Sequence, residues 1–435
     1  MSTDEKTSAN FVTVLRKKDY LLLWLAQLIS NMGDAFARIA ALIFVTAQSN
    51  SPVAISVLML VELAPMIVFG PVIGVFVDRW DRKKILIGSD IARAILFLLL
   101  ALYPQYGMVL AVMFVATLAS LFFTPARAAV LPAVVGDEQV TAAVGLSQTT
   151  FQTVALIGPV LGGAMAGFLG TGFVFGFNAV TFLVSAALVQ LMTIPLKARR
   201  SAPVEAAEDD GPSEPGRRVQ KAFRDFYQQL GFGIKFLRQD SVLWYLIVLI
   251  GSFSVIGHIS QVGIMDYVRN VLALSPTRFG LMMTFTGAGS VVGAVLMGNL
   301  GSRLHRGWSF YLNFIGVTVV MSLYYFQPLY YPLLALAFLG GFFYSSANVP
   351  MQSIVFTRTP VEVRGRVFSV ANSLLNGAAI ISLPAAGFII NYIGSSLTIA
   401  LVGVIGTAFM LISRLFPGSS ELLAKEAKDE GSVTA

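Results

Sequence analysis

Long apolar runs dominate this chain and limit what it can fold into. Twelve of them approach or exceed the roughly 20 residues that an α-helix needs to cross a bilayer. They lie near 20–46, 53–77, 85–104, 107–126, 143–168, 172–194, 241–264, 278–300, 308–327, 332–356, 367–392 and 395–416. Only 12% of the residues are charged, against about a quarter in a soluble protein. We therefore predict an all-α membrane protein with twelve transmembrane helices, numbered here as spans 1 to 12.

The turn between spans 2 and 3 indicates how the chain is oriented. Six charged residues fall within the seven positions from Asp78 to Lys84, and such a run cannot lie in hydrocarbon. Four of the six are Lys or Arg, which favours the cytoplasmic side. Of the other basic residues, this orientation places only Arg269 and Arg278 outside. Both termini are thus predicted in the cytoplasm.

The polar segments predict the domain organisation. Residues 1–19 form a cytoplasmic N-terminal segment, 20–194 a six-helix bundle, 195–240 a cytoplasmic linker, 241–416 a second six-helix bundle and 417–435 a cytoplasmic tail. The composition of 202–217 predicts disorder, and so does that of the tail from Ser419 onward. Apolar residues at helical spacing in 219–238 predict an amphipathic helix on the inner leaflet, or alternatively a solvated connector.

The two halves look like weak repeats of each other. A Gly-xxx-Asp-Arg-xx-Arg pattern begins at Gly74, and Gly-xxx-Ser-Arg-xx-Arg follows it by 224 residues, at Gly298. Likewise, Pro-xx-Gly at Pro384 follows the same pattern at Pro159 by 225 residues. The agreement of the two offsets predicts two six-helix pseudo-repeats, with a substrate bound between them.

Polar residues recur on one face of span 1. Four of them are spaced by 4, 3 and 4 residues, which places them on the same side of a helix. They are Gln27, Asn31, Asp34 and Arg38. Because a charge at bilayer depth is costly unless it faces a wet cavity or a partner, we interpret the stripe as cavity-lining and Asp34 as a candidate proton or cation carrier. A structural ion pair between Asp34 and Arg38 is the alternative.

Glu62 is the second acid expected at membrane depth. It lies ten residues into span 2, and its neighbours along the chain are apolar. A carboxyl group in such surroundings is expected to be protonated at rest, as a proton carrier requires. A neutral Glu62 that donates a hydrogen bond to a backbone carbonyl is an equal alternative.

Other polar residues complete the predicted sites. The further candidates for the cavity are Gln148, Gln152, His258, Asn372 and Asn376. Asp90 and Arg93 are three residues apart near the cytoplasmic end of span 3, so we expect them to brace the charged turn. The second half has no acid at mid-membrane, and coupling chemistry is therefore expected in the first half.

Span 5 contains a run of small residues around a proline. The run holds Gly158, Pro159, Gly162 and Gly163. Small residues let membrane helices approach closely, and proline bends a helix. We predict close packing and a bend here. The run also resembles, in part, the helix-5 motif of the proton-antiporter branches of the major facilitator superfamily of secondary transporters, with Val154 where that motif has a leading Gly. Ordinary Gly/Pro packing without a functional role is the alternative.

Several classes of protein are disfavoured. The chain has no Cys and only two His, so neither a metal site nor a cofactor is expected. It has no Gly-Lys dipeptide and hence no phosphate-binding loop of an ATP-driven pump. No nucleophile, base and orienting group cluster on one membrane face, which disfavours an enzyme. The positive net charge of +7 follows from the topology, so no nucleic acid is expected as a partner.

The pattern that begins at Gly74 resembles the signature loop between helices 2 and 3 of the major facilitator superfamily of secondary transporters. Its charged members are Asp78, Arg79, Arg82 and Lys83. Asp81 stands where the usual pattern has Gly. The resemblance implies that Asp78 forms a cytoplasmic latch with the start of span 11, near Arg364 and Arg366, and that the latch breaks when the cavity opens inward.

Three further segments resemble the branch that contains bacterial macrolide-efflux and enterobactin-exporter proteins. They are 122–127, 145–148 and 364–369. The resemblance implies a multi-pass secondary transporter of the bacterial inner membrane. It would export amphiphilic drugs, macrolides or siderophore-like small molecules in exchange for protons, with membrane lipid around it. A proton-coupled uptake carrier and a transport-inactive membrane sensor are the alternatives.

Overall fold

The computed structural model describes residues 11–49, 51–77, 80–193, 224, 228, 231–300, 304–326 and 329–424. Within these ranges the side chains of 71, 72, 74–77, 137, 156, 276, 361, 362, 364–366, 368, 369 and 372 are not described. All of the regular secondary structure in the described ranges is helical. The predicted all-α class is confirmed.

Twelve long helices follow one another along the described residues, and we number them α1 to α12. They are α1 (Lys18–Ser49), α2 (Pro52–Val77), α3 (Arg82–Leu102), α4 (Tyr106–Val135), α5 (Val140–Leu169), α6 (Thr171–Gln190), α7 (Ser241–Asp266), α8 (Pro276–Leu300), α9 (Arg306–Leu323), α10 (Tyr330–Arg358), α11 (Val361–Ile393) and α12 (Ser395–Ser413). Eleven are long and apolar enough to cross a membrane, and α5 is the twelfth if its bent halves form one span. The twelve predicted spans are confirmed in this sense.

The bend in α5 has an identifiable cause. The segments Val140–Ala155 and Ile157–Leu169 meet at 41°. A proline ring clashes with the carbonyl four residues before it and removes one helical hydrogen bond. For Pro159 that carbonyl belongs to Ala155, where the first segment ends. The bend therefore lies where the sequence predicts it.

The chain divides into two compact units. The first comprises Met1–Phe44 and Val68–Arg224, and the second comprises Val45–Ile67 and Asp225–Ala435. Most of α2 therefore belongs to the second unit, where Val53 and Ser56 lie against Gly387 of α11. The predicted bundles 20–194 and 241–416 stay a prediction.

Residues around the start of α1 are part of the core of the first unit. Val14, in the short helix Phe11–Leu15, is fully buried. Lys17 Nζ donates to the carbonyl of Val135 at the end of α4. Asp19 Oδ1 accepts a hydrogen bond from Thr193 N at 3.0 Å, just beyond α6. These contacts connect the start of α1 to the ends of α4 and α6.

The predicted disorder from Ser419 onward is wrong for its first six residues. Gly418, with φ of 90°, turns the chain into the short helix Ser419–Ala424. Leu422 is buried in the core of the second unit, and Glu421 Oε1 lies 3.4 Å from Arg358 Nη1. A single apolar anchor and an ion pair hold this polar segment, and composition alone does not reveal such contacts. Residues 425–435 lie outside the described ones.

The predicted amphipathic helix packs on protein in the part that is described. Residues 231–239 are helical. Leu237 is buried and Ile234 packs against the core of the second unit. The apolar face of this helix thus packs on the core of the second unit, whereas the sequence predicted contact with the inner leaflet. Nearly all of 194–230 lies outside the described residues.

Candidate functional site

A buried charge network lies at the centre of the first unit, and α3 supplies its core. Asp90 and Arg93 share one helical face because they are three residues apart. Asp90 is completely buried and Arg93 is 5% exposed. Arg93 Nη2 donates to Asp90 Oδ1 at 2.5 Å, and Ser185 Oγ of α6 donates to Asp90 Oδ2 at 2.7 Å. A buried carboxylate and guanidinium are stable only when paired and hydrogen-bonded in this way.

Three further groups hold the Arg93 side chain in place. The guanidinium carbon lies 4.2 Å from the ring centroid of Phe182 in α6 and 5.1 Å from that of Phe123 in α4. Both distances are within the range of cation–π attraction. Arg93 Nε also donates to the carbonyl of Ser89 at 3.4 Å. Arg93 is therefore fixed by its own helix and two neighbouring ones.

Asp34 of α1 joins the same arginine from the other side. Its Oδ2 atom lies 3.8 Å from Arg93 Nη1, and 34% of its side chain is exposed. Asn178 Nδ2 of α6 donates to Asp34 Oδ1 at 3.3 Å. Asn178 is itself oriented by Thr181 Oγ1, which donates to Asn178 Oδ1 at 3.0 Å. Asp34 is thus in contact with two helices other than its own.

The close approach of α1 to α6 depends on the residue before Asp34. A Cβ atom added at Gly33 would collide with the side chains of Asn178 and Thr181. Glycine therefore allows the Asn178 amide to reach the Asp34 carboxylate. This is the helix packing that small residues provide in membranes.

Two carboxylates, those of Asp90 and Asp34, contact the guanidinium of Arg93, and they differ in distance and in burial. Asp90 is buried and bound at hydrogen-bond distance, whereas Asp34 is partly exposed and more distant. Arg38, one turn further along α1, is exposed and adds positive charge beside Asp34. Asp34 is therefore the less buried of the two carboxylates and the one at the longer distance from the guanidinium.

The partners of Asp90 and Arg93 differ from the sequence-based expectation. The pair lies near the middle of α3, and its described contacts are with residues of α1, α4 and α6. Bracing of the charged turn stays a prediction, because Asp78 and Arg79 lie outside the described residues. The side chains of Arg364 and Arg366 also lie outside them, so the predicted latch stays a prediction as well.

Gln27 contacts a neighbouring helix of its own unit. It is buried, its Oε1 accepts a hydrogen bond from Arg127 Nη1 of α4, and its Nε2 donates to the Leu23 carbonyl at 3.2 Å. Arg127 is thereby accommodated within α4, which continues to Val135 although the sequence predicted an end at 126.

The other predicted cavity residues are distributed over several helices. Asn31 and Asn376 are half-buried, Gln148 and Gln152 are exposed on α5, and Glu62 is half-buried in α2. His258 Nδ1 of α7 is hydrogen-bonded to Ser382 Oγ of α11 at 2.9 Å. The side chain of Asn372 lies outside the described ones. A cavity role for these residues stays a prediction.

The described part of the charged turn anchors the start of α3. Gly74 lies near the end of α2. Arg82 Nη1 donates to the carbonyl of Ala129 at 2.9 Å. Lys83 Nζ donates to the carbonyls of Gln190 and Met192 at 2.8 Å each, and so places a positive charge at the C-terminus of α6, where the helix dipole favours it.

Asp81, which departs from the usual pattern of the signature loop, is the N-cap of α3. Its carboxylate accepts hydrogen bonds from the backbone N–H groups of Lys83 at 2.9 Å and Lys84 at 3.3 Å. Aspartate is among the preferred residues at this position. The departure thus has a local structural reason.

Replacement of Asp81 tests this role. We expect Asp81→Ala to lower the free energy of unfolding by about 1 kcal/mol, because two N–H groups lose their acceptor. Asp81→Gly, which restores the usual pattern, should cost only a few tenths of a kcal/mol. Thermal unfolding of the purified variants in detergent measures both, and equal losses would contradict the capping role.

The small residues of α5 pack against α1 beside Asp34. A Cβ atom added at Gly158 would lie 2.6 Å from the Cβ of Ala35, and one added at Gly162 would lie 2.8 Å from the Cα of Phe36. Gly163 is also buried. The predicted close packing is confirmed for Gly158 and Gly162, and their partner is the helix that carries Asp34.

Enlarging Gly162 should displace α1. We expect Gly162→Leu to destabilise the first unit by about 1–3 kcal/mol, as overpacking usually does, and to shift Asp34 away from Arg93. Gly107→Leu is the matched control, since a Cβ there meets nothing within 4 Å. If thermal unfolding in detergent shows equal stability for both variants, the packing inferred here is wrong.

Three residues of α6 complete the network and were not predicted from the sequence. Asn178, Thr181 and Ser185 are spaced by 3 and 4 residues and share one helical face. This is the same signal that marked the stripe in span 1. All three are nearly or completely buried, which distinguishes them from an exposed polar face.

Comparison with known proteins agrees with this architecture. The profile of the Major Facilitator Superfamily matches residues 23–263 and again 252–433. Macrolide efflux protein A from Streptococcus pyogenes is 25% identical, and the match covers 95% of this chain and 98% of that protein. The putative bacilysin exporter BacE from Bacillus subtilis is 27% identical, with 94% and 96% covered.

A solved structure shares the fold. It is that of a bacterial homolog of the human lysosomal transporter Spinster, in an inward-facing and unoccupied conformation, with a TM-score of 0.67 at 13% identity. The match covers 94% of this chain and 98% of that one. Two profile matches that together span nearly all of the chain show that it belongs to the Major Facilitator Superfamily and is a multi-pass membrane transporter of a small molecule, not an enzyme.

Proposed function

We propose that the chain exports amphiphilic, macrolide-like or siderophore-like small molecules in exchange for protons. The observation that carries the proposal is the pairing of Asp34 with Arg93, a buried arginine already bonded to Asp90. The names of the efflux and exporter relatives support outward transport. The partners are the cargo, protons and the surrounding lipid, with no nucleic acid.

The proposed coupling step is protonation of Asp34. A proton on this carboxylate removes its attraction for Arg93, while Arg93 keeps Asp90, Phe182 and Phe123 as partners. The link between α1 and α3 is then weakened, and so is the hydrogen bond from Asn178 of α6, because a charged carboxylate is the stronger acceptor. Deprotonation restores that link, so the charge of Asp34 determines how strongly α1 is held to α3.

A change in α1 reaches other parts of the first unit because α1 is tightly packed. Gly158 and Gly162 of α5 lie so close to Ala35 and Phe36 of α1 that an added Cβ atom would collide with these residues. We propose that α1 and α5 respond together when Asp34 changes its charge. Rocking of two halves about a central cargo site, the general scheme of such carriers, would then alternate with protonation.

The proposed setting is the inner membrane of a bacterium, with both termini in the cytoplasm. The distribution of Lys and Arg along the chain supports this orientation. The proton gradient across such a membrane favours proton entry, which would drive the exit of cargo.

The sign of the driving gradient tests the proposal. Purified protein is reconstituted into liposomes, and accumulation of macrolides, lipophilic cations and catecholate siderophores is measured with an acidic and with an alkaline interior. An antiporter accumulates cargo when protons leave an acidic interior. Protein-free liposomes correct for passive trapping of weak bases, and permanently charged cations avoid that trapping altogether.

Each result has a defined meaning. Accumulation of at least one compound driven by an acidic interior supports proton antiport and identifies the class of cargo. Accumulation driven only by an alkaline interior would show a proton-coupled uptake carrier. The absence of protein-dependent accumulation with every compound in both gradients would contradict the proposal.

A further inference from the structure

An apolar groove runs along the surface of α3 and α4, and Ser89, whose carbonyl accepts a hydrogen bond from Arg93, is among the residues that line it. Its volume is about 720 Å³. Gly88 and Ala92 of α3 and Val115 and Leu118 of α4 form most of its length. Gly88, Ala92 and Val115 are exposed. In a membrane protein such a surface faces the hydrocarbon chains of lipid.

The groove has an aromatic wall at the end where α3 begins. Trp80 stacks on Phe122 of α4, with ring centroids 6.1 Å apart and an interplanar angle of 8°. Trp80 is 55% exposed. Tryptophan is enriched at the level of lipid headgroups, which places this end of the groove at the membrane surface.

The same end carries a lysine with an available charge. Lys84 is exposed and lines the groove, and its ammonium group makes no hydrogen bond or ion pair with any residue in the described ranges. Its neighbours Arg82 and Lys83 use their side chains on backbone carbonyls. Asp81 also lines the groove, but its carboxylate is bonded to two backbone N–H groups.

The dimensions suit one particular kind of molecule. From Lys84 to Ala92 the groove follows eight residues of helix, or ~12 Å at 1.5 Å per residue. One end is basic and aromatic, and the remainder is apolar. A molecule that matches both parts of the groove has an anionic head joined to a long hydrocarbon chain.

We infer that this groove binds an anionic phospholipid of the leaflet that the predicted topology places on the cytoplasmic side. The lipid phosphate pairs with Lys84 at the level of Trp80, and one acyl chain lies along Gly88 and Ala92. The charges of Arg82 and Lys83 add to the positive potential at the head. This site is independent of the proposed proton coupling through Asp34.

Quenching of Trp80 fluorescence by brominated lipid tests the site. The protein is placed in phosphatidylcholine nanodiscs that contain a minor fraction of phosphatidylglycerol, with bromine high on the acyl chains of one lipid or the other. The signal of Trp80 is the difference between the native protein and Trp80→Phe, which keeps an aromatic ring against Phe122. We expect brominated phosphatidylglycerol to be preferred about fivefold, the effect of one lysine at an anionic surface.

Two variants separate the head contact from the chain contact. Lys84→Ala should abolish the preference for phosphatidylglycerol, and Lys84→Arg should retain it. Gly88→Leu should reduce quenching by both lipids, because the new side chain fills the groove. A Cβ at Gly88 meets nothing within 4 Å, so this variant should fold; Gly107→Leu, equally open and outside the groove, is its control.

The inference is overturned by any of three results. Equal quenching of Trp80 by the two brominated lipids would show ordinary lipid contact without a site. A preference unchanged in Lys84→Ala would place the anion elsewhere. Failure of both lipids to quench Trp80, together with a disulfide-linked dimer of Gly88→Cys in this cysteine-free chain, would show that a second copy covers the groove.

Discussion

We expect Asp34→Asn to reduce gradient-driven accumulation of cargo to the level of protein-free liposomes, while cargo exchange down its own gradient continues. Asparagine has nearly the same shape as aspartate, and it can still accept the hydrogen bond from Asn178. It carries no charge and exchanges no proton at physiological pH. The variant therefore removes the proposed coupling step and retains the packing around α1.

Two matched substitutions serve as controls for Asp34→Asn. Asp266→Asn changes a buried aspartate of α7 whose Oδ1 accepts a hydrogen bond from Asn270 at 2.7 Å, and we expect normal accumulation. Glu62→Gln tests the second predicted proton carrier. Loss of accumulation in Glu62→Gln and its persistence in Asp34→Asn would move the coupling role to α2.

The largest loss of stability is expected from Arg93→Met. Methionine keeps much of the apolar stem of arginine but leaves Asp90 buried without its cation. Removing one partner of a buried ion pair typically costs about 3–5 kcal/mol, because the other charge is left uncompensated. The cation–π contacts with Phe182 and Phe123 are lost as well. Thermal and denaturant unfolding in detergent measure the change.

A second substitution should restore most of this loss. In Arg93→Met with Asp90→Asn the buried charge is gone, and Ser185 keeps a hydrogen-bond acceptor in the asparagine carbonyl. We expect the double variant to be more stable than Arg93→Met alone. Additive losses in the two single variants and the double variant would show that Asp90 and Arg93 do not interact as described.

The helices could be predicted from the sequence because membrane hydrocarbon imposes a simple requirement. A backbone in lipid must satisfy its own hydrogen bonds, so a run of about 20 apolar residues becomes a helix. This holds even where helix-breaking residues occur, as at Pro125 and Pro132 inside α4. The bend of α5 was predictable because the effect of Pro159 is local.

The charge network could be predicted only in part. The spacing of residues within one helix marked Asp34, and likewise the pair Asp90 and Arg93. The contact between Asp34 and Arg93 joins α1 to α3, and single-chain periodicity contains no information about which helices are neighbours. Asn178 shows the same limit, since its partner lies 144 positions away.

Local composition misled the prediction where one buried side chain determines the structure. The segment Ser419–Ala424 is polar overall, yet Leu422 reaches the core and Glu421 accepts a hydrogen bond from Ser241 Oγ at 2.7 Å. Both contacts are with residues far away in the sequence. A prediction from average composition gives disorder here, because the average hides the single leucine that anchors the helix.

Proton movement coupled to cargo efflux is the most direct test of the central claim. Liposomes that contain the reconstituted protein are loaded with an accumulated cargo, diluted into cargo-free buffer of the same pH, and followed with an internal pH-sensitive dye. Antiport through Asp34 predicts that the interior becomes acidic as cargo leaves, and that this signal is absent with Asp34→Asn. Cargo efflux through the native protein without a change in internal pH, or the full signal with Asp34→Asn, would contradict the account.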